Sequence, residues 1–176
     1  KKFHLQPIKG HLWRFMRLRP SNFPTLRIAQ FAMLIHQSAG LLSKLLEAGN
    51  TTQLLHLLDA GCSGYWQTHY QFDKPSPFRE KRLGQNSAIL LVINTVVPFM
   101  FALGQQKDDQ ALKDKALQLL QDLPGEVNSI TKKWASLGME VNKAAQTQAL
   151  IELKNNYCDL KKCLNCRIGN TLIRKG

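Results

Sequence analysis

The first 46 residues contain no aspartate or glutamate, although the 176-residue chain carries twelve acidic side chains further on. Those 46 residues hold eight lysines and arginines, residues 47–153 hold ten basic and eleven acidic residues, and residues 154–176 hold six basic and one acidic. The net charge of +12 is therefore distributed as +8, −1 and +5. The excess belongs to the two ends of the chain. If the ends meet on one face they form a patch that attracts phosphate backbones or an acidic partner, and if they lie apart each is an ordinary solvated surface.

Other absences narrow the possibilities. Cysteine is scarce, and three of the four thiols crowd between Cys158 and Cys166. The dispersed pattern of a disulfide-stapled secreted module is missing, which points to a reducing, cytoplasmic setting. No apolar run follows the first lysines, so no signal peptide is expected. A chain that starts KKFHLQ without methionine reads as the C-terminal fragment of a longer protein, its residues 1–176 forming a single helical domain. A Gly-rich phosphate loop, G-x-S-x-G, H-E-x-x-H and paired carboxylates flanking a pocket residue are all lacking, so this chain alone is not expected to be an enzyme. No stretch alternates strands with crossovers as an α/β sheet requires.

What is present is helical periodicity. Ser87–Gly104, SAILLVINTVVPFMFALG, is apolar on every side, and such a helix must be enclosed by other elements. It falls short of the roughly 20 residues that span a bilayer and is interrupted by Asn94 and Thr95, so it is expected to be buried in protein with no membrane involved. Pro98 cannot donate to the carbonyl of Asn94, and a bend is expected there. Pro24 suits the first turn of a helix whose apolar stripe is Leu26, Ile28, Phe31, Ala32 and Ile35. Apolar runs at 42–49 and 54–61 each end in an acid, Ala and Gly, the glycine being suited to a left-handed cap. Phe72–Asn86 reads as the longest loop. Asp108 or Asp109 caps a helix with Leu112, Ala116, Leu119, Leu120 and Leu123 on one face, and Pro124 ends it. Val127, Ile130, Trp134 and Leu137 form a further stripe closed by Gly138, and a last long helix runs over residues 142–155. The expected architecture is an all-α orthogonal bundle of about seven helices around the central apolar helix, with a short N-terminal strand or arm in which Trp13 and Phe15 alternate with arginines.

Two residue sets could carry chemistry. Arg14, Arg17, Arg19, Asn22 and Arg27, together with Lys161 and Lys162 near the other end, supply the guanidinium forks, amide and ammonium groups of a phosphate or nucleic-acid site. Their plain alternative is pairing with internal acids or carbonyls. Cys158, Cys163 and Cys166 have a C-x4-C-x2-C spacing that could clasp zinc or an iron-sulfur cluster, with Cys62, a histidine such as His69 or an open position completing the site. The competing expectation is that these thiols are small packing residues, and this is the one favoured, with no cofactor. His69, among Tyr65, Trp66 and Tyr70, reads as a packing residue.

The phrases RLRPSNFPTLRIAQFA (17–32), YWQTHYQF (65–72), NTVVPFMFALG (94–104), LPGEVNSI (123–130) and QALIELKNNYCDLKKCLNCRIGN (148–170) resemble the C-terminal half of an uncharacterised bacterial family. That family is the domain of unknown function numbered 2851 in its series, and the resemblance spans nearly the whole chain. It marks Arg19, Asn22, Arg27, Tyr65, Trp66, Asn94, Glu126 and the three late cysteines as pattern positions. It also implies a missing N-terminal half similar to a restriction-endonuclease core. The function expected on these grounds is a non-catalytic accessory domain that helps a nuclease-like partner half hold DNA or RNA. A protein-interaction or structural domain and a metal- or cluster-dependent redox domain are the alternatives.

Overall fold

The computed structural model describes residue 6 and residues 8–175. Among them the chain forms nine helices and one two-stranded ribbon, an all-α architecture. It divides into two compact units, Lys1–Ala48 with Gln53–Ala88 and Gly49–Thr52 with Ile89–Gly176.

The first unit opens with an arm held by two short 3-10 turns, Gly10–Leu12 and Pro20–Asn22, and no strand forms there among the described residues. Helix α1 (Pro24–Gln37) starts on a proline whose missing N–H would be unpaired in any first turn. Its inward residues are Thr25, Leu26, Gln30 and Leu34, whereas Ile28, Phe31 and Ile35 are exposed by 51, 62 and 50%. The expected stripe therefore marks the helix correctly, but four of its five members, Ala32 included, face outward. Thr25 earns its inward place by donating its hydroxyl to the Tyr70 carbonyl at 2.6 Å. Gly40, at φ 70°, turns the chain into α2 (Leu41–Glu47), followed by α3 (Thr51–Leu57) and the single turn α4 (Gly64–Gln67). Among the described residues the left-handed glycines are Gly40 and Gly138, so neither Gly49 nor Gly61 supplies the expected left-handed cap. The expected 72–86 loop begins with the turn and second strand of a ribbon, β1 (His69–Gln71) against β2 (Lys74–Pro75), turned at Asp73 with φ 57°.

Helix α5 (Gln85–Gln106) begins in the first unit and continues in the second. At 22 residues it is longer than expected, and by length and apolarity alone it could cross a membrane, although 39% of its most apolar window is buried in the protein. Enclosure is one-sided. Val92, Ile93, Val96, Val97 and Met100 are buried, while Leu90, Leu91, Phe99 and Phe101 are about two-fifths exposed. Pro98 is accommodated by a π turn at Val92–Val96, in which the Val97 N–H reaches back five residues to the Val92 carbonyl. The Asn94 amide donates to the Leu90 carbonyl at 3.0 Å.

In the second unit α5 packs on α6 (Gln110–Asp122), which is capped by Asp109 accepting from the Leu112 N–H at 3.0 Å. The contact requires Gly104. A Cβ there would lie 2.9 Å from Lys113 Cγ and 3.0 Å from the Asp109 carbonyl, so this glycine is a close-approach point inside α5 and not its C-cap. Helix α7 (Ser129–Ser136) is capped by Asn128, and α8 (Ala144–Leu153) runs on through a π turn at Lys154–Cys158. The Pro124–Gly125 segment crosses α8 at its start, with the Gly125 N–H donating to Asn142 O at 2.9 Å and the Ala144 N–H to Leu123 O at 2.9 Å. Helix α9 (Arg167–Lys175) ends the described chain.

Met100 is fully buried, so Met100→Ala should cost about 2–5 kcal/mol in urea unfolding. Leu91→Ala, at a position 39% exposed, should cost well under half of that; equal losses would show that the outer face of α5 is covered. A Cβ on Gly125 would lie 2.2 Å from the Val141 carbonyl oxygen. Gly125→Ala should therefore lower stability by at least about 1–3 kcal/mol in the same measurement.

Candidate anion-binding site

The candidate residues of the acid-free end fall into two groups. Arg27 donates to Asn22 Oδ1 at 2.6 Å, to Gln30 Oε1 at 3.0 Å and to Ser87 Oγ at 3.3 Å. Its guanidinium is half-buried, and burial lowers its pKa. Arg27 and Asn22 are thus committed to each other, and what they fix is the turn ahead of α1, where the Asn22 N–H also donates to Arg19 O at 2.8 Å. Arg14, Arg17 and Arg19 are exposed, and their side chains make no hydrogen bond or ion pair among the described residues. Beneath them Trp13 and Phe15 are half-buried, and Phe15 stacks edge-on against Phe23 with ring centres 5.0 Å apart. The alternation seen in the sequence is real, aromatics in and arginines out, but the backbone is a turned arm in which Arg17 takes a left-handed φ of 62°.

The residues that sequence reasoning missed lie in the loop after the ribbon. A cleft of about 460 Å³ is lined by Arg19, Pro20, Ser21, Leu26, Tyr70, Arg79, Glu80, Lys81 and Arg82. Arg79, Lys81 and Arg82 fall in a segment that its prolines and glycine mark as loop, and only their clustering around a single Glu80 gave a signal. The loop is pinned residue by residue. The Arg79 N–H donates to Gln67 O at 2.9 Å, and the Leu83 N–H to Ala60 O at 2.8 Å. Lys81 is 4% exposed, and its ammonium donates to the carbonyls of Trp66, Gln67 and His69 at 2.6, 3.1 and 3.1 Å while sitting 3.9 Å over the Tyr70 ring. All three of its protons are satisfied. Burial lowers the Lys81 pKa, and the adjacent Arg79 charge pushes in the same direction.

Arg82 grips the Asp59 carboxylate with two hydrogen bonds, at 3.0 and 2.7 Å, donates to the Asp59 carbonyl at 3.2 Å and reaches Glu80 at 3.4 Å. The hydrogen bond from Arg82 holds the Asp59 carboxyl below its usual range. The small stability this half-exposed pair contributes is present above the ordinary carboxylate pKa and lost as pH falls through the lowered one. With Lys81 and Arg82 occupied, Arg19 and Arg79 are the cleft's cations whose side chains have no partner among the described residues, and the Ser21 hydroxyl stands beside them.

At the other end, Lys161 and Lys162 are exposed in a tight turn, Lys161 at φ 54° and Lys162 with its N–H on Tyr157 O at 2.9 Å. A shallow cleft of about 480 Å³ lies nearby in sequence, lined by Leu164, Asn165, Cys166, Arg167, Asn170, Thr171 and Arg174, and excludes both lysines. Cys158 and Cys163 are exposed and Cys166 is half-buried. The three line an apolar pocket of about 240 Å³ with Trp134, Leu153, Tyr157, Ile168, Gly169 and Leu172. Leu160, Leu164 and Ile168 are 49–71% exposed, so the thiols do not sit in the closed packing expected of them. Among the described residues no three His, Cys, Asp or Glu side chains converge as metal ligands. Cys62 is buried in the first unit, where burial raises its thiol pKa against the pull of Lys81 and Arg27.

The other pattern positions have evident folding roles. Tyr65 stacks on His69 at 4.0 Å and accepts the Asp73 N–H at 3.1 Å, the Trp66 carbonyl receives Lys81, and Glu126 accepts from Gln148.

Residues 1–129 match the family described as protein of unknown function (DUF2851). The chain belongs to that family. The matched range contains every DUF2851 residue of the Arg19–Arg82 cleft and stops before the late cysteines, so the part of the resemblance built on them lies outside it. No curated protein and no solved structure matches the chain.

Lys81→Met would leave three carbonyls without their donor, and stability should fall by at least about 1–3 kcal/mol in denaturant unfolding. An unchanged midpoint would show that the ammonium does not hold the loop.

Proposed function

We propose that this chain is a non-catalytic, cytoplasmic accessory domain that contributes phosphate contacts with DNA or RNA to a nuclease-like partner half. The observation that supports this most is the outward row Arg14, Arg17 and Arg19, unpaired among the described residues and placed where no acid occurs for 46 residues. Phosphate contacts of this kind give affinity without sequence preference and release counterions on binding. Aromatic side chains of the same unit are partly open to solvent, Tyr65 by 41% and Phe72 by 61%, and they offer stacking faces to unpaired bases.

A second reading, protein interaction without nucleic acid, is favoured by one specific feature, the outward Ile28, Phe31 and Ile35 of α1. Three apolar side chains at i, i+3 and i+7 form a continuous stripe of the kind that helix-recognising partners cover.

Fluorescence anisotropy with labelled duplex and single-stranded oligonucleotides separates the two. The expected result is binding at low salt whose log–log slope is near −0.9 per phosphate neutralised on duplex, with Arg14→Glu plus Arg17→Glu abolishing it. Absence of salt-sensitive binding by the unmodified chain would overturn the nucleic-acid reading in favour of the interaction one.

A further inference from the structure

We propose that the cleft between the Pro20–Asn22 turn and the Arg79–Arg82 loop is a binding site for a phosphate monoester group, with Arg19 and Arg79 as its forks and Ser21 as an additional donor. Four cations line the cleft against one carboxylate, Glu80, and that carboxylate is already engaged by Arg82. Lys81 is saturated by three carbonyls, and Arg82 is held mainly by Asp59. The surplus of two guanidiniums matches the charge of a monoester, about −1.5 to −2 at neutral pH, whereas a diester would leave one fork unmatched.

The two forks stand on fixed supports. The Arg19 carbonyl is tied to the Asn22 N–H at 2.8 Å, and Asn22 is in turn clamped by Arg27 at 2.6 Å. Arg79 is tied through its own N–H to Gln67 at 2.9 Å, two residues before the buried Lys81. Ordering the backbone has been done by the fold, so binding an anion requires only the two side chains to settle. Leu26, 1% exposed, and Tyr70 give the cleft an apolar floor, and its volume of about 460 Å³ exceeds what a bare phosphate fills. The group that enters is therefore an organic phosphate, with part of what it is attached to resting inside. Arg19 belongs to both the arm row and this site, but the chemistry differs: Arg14 and Arg17 of the arm meet a chain of diesters, and the cleft meets one terminal group. It stands on the cleft alone and does not require the arm to bind nucleic acid.

The test is titration calorimetry of the full chain with a 5′-phosphorylated dinucleotide and its 5′-hydroxyl counterpart, too short to engage the arm along its length, and with a mononucleotide monophosphate. The 5′-phosphorylated form should bind about tenfold or more tighter than the 5′-hydroxyl form. Arg79→Gln and Arg19→Gln should each erase that difference, while Arg14→Gln plus Arg17→Gln should leave it. Because Arg19 and Arg79 are exposed and make no side-chain bonds within the described residues, thermal unfolding of these variants should match the parent. A mononucleotide binding as tightly as the phosphorylated dinucleotide identifies a small metabolite as the source of the phosphate, and weaker binding identifies a strand end; both support the site. Equal affinity for phosphorylated and hydroxyl forms, or a difference that survives Arg79→Gln, overturns it. Long 5′-hydroxyl strands that bind with steep salt dependence in that second case would leave the accessory-domain reading standing alone. Monoester binding without any affinity for long strands would leave the cleft standing alone.

Discussion

A buried ammonium has to find acceptors for all of its protons, and in the first unit the Lys81 ammonium finds them on three carbonyls from a single stretch, Trp66, Gln67 and His69. A charge 4% exposed with no acid against it is tolerable only because those dipoles and the Tyr70 ring face it together. The consequence is geometric. One side chain ties the 79–82 loop to α4 and β1 at once, and the Arg79 and Leu83 amides complete the attachment on either side. What the loop displays, Arg79 outward and Arg82 on Asp59, follows from where Lys81 is nailed down. The same stretch closes back on α1 through the Thr25 hydroxyl at the Tyr70 carbonyl, so helix, ribbon and loop are held by polar contacts as much as by apolar burial.

Much of the helical layout was legible because local signals decide it. Pro24 starts α1, Asp109 caps α6, Ala116 and Leu119 lie on the buried face of α6, and Gly138 takes the left-handed turn. The face each helix buries was less legible, since periodicity gives a stripe without saying what lies opposite. In α1 the inward positions are taken by Thr25 and Gln30 along with Leu26 and Leu34, and in α8 Thr147 is fully buried because its hydroxyl serves Ala144 O and the Glu126 N–H. A polar residue that satisfies itself locally occupies a core position as readily as an apolar one.

The candidate site was half legible for a related reason. The arginines of the arm announce themselves by the lack of any acid near them in sequence. Arg27 and Asn22 belong to that same run of residues, yet they pair across five positions and support the site from behind. Arg79 joins Arg19 only through the long-range closure of the ribbon and its loop, and nothing in the spacing of residues 19 and 79 foretells it. The late cysteines show the opposite case, a conspicuous motif whose spacing suggests ligation while its thiols line an apolar pocket.

The π turn in α5 can be described as an extra residue carried inside a helix. Each residue of an α-helix turns the chain by about 100°, so one residue absorbed between Val92 and Val96 rotates everything after it by that amount relative to an uninterrupted spiral. Leu90 and Leu91 before the turn and Phe99 and Phe101 after it consequently belong to different rows than a helical wheel assigns them. Straightening the π turn at unchanged length would swing Met100 by about 100° away from Val92, the other residue of α5 that is fully buried, whereas a chain shortened by one residue there would regain the regular spiral with the two still aligned. In this family member the reading frame of the core is set by a proline that the helix accommodates and does not break.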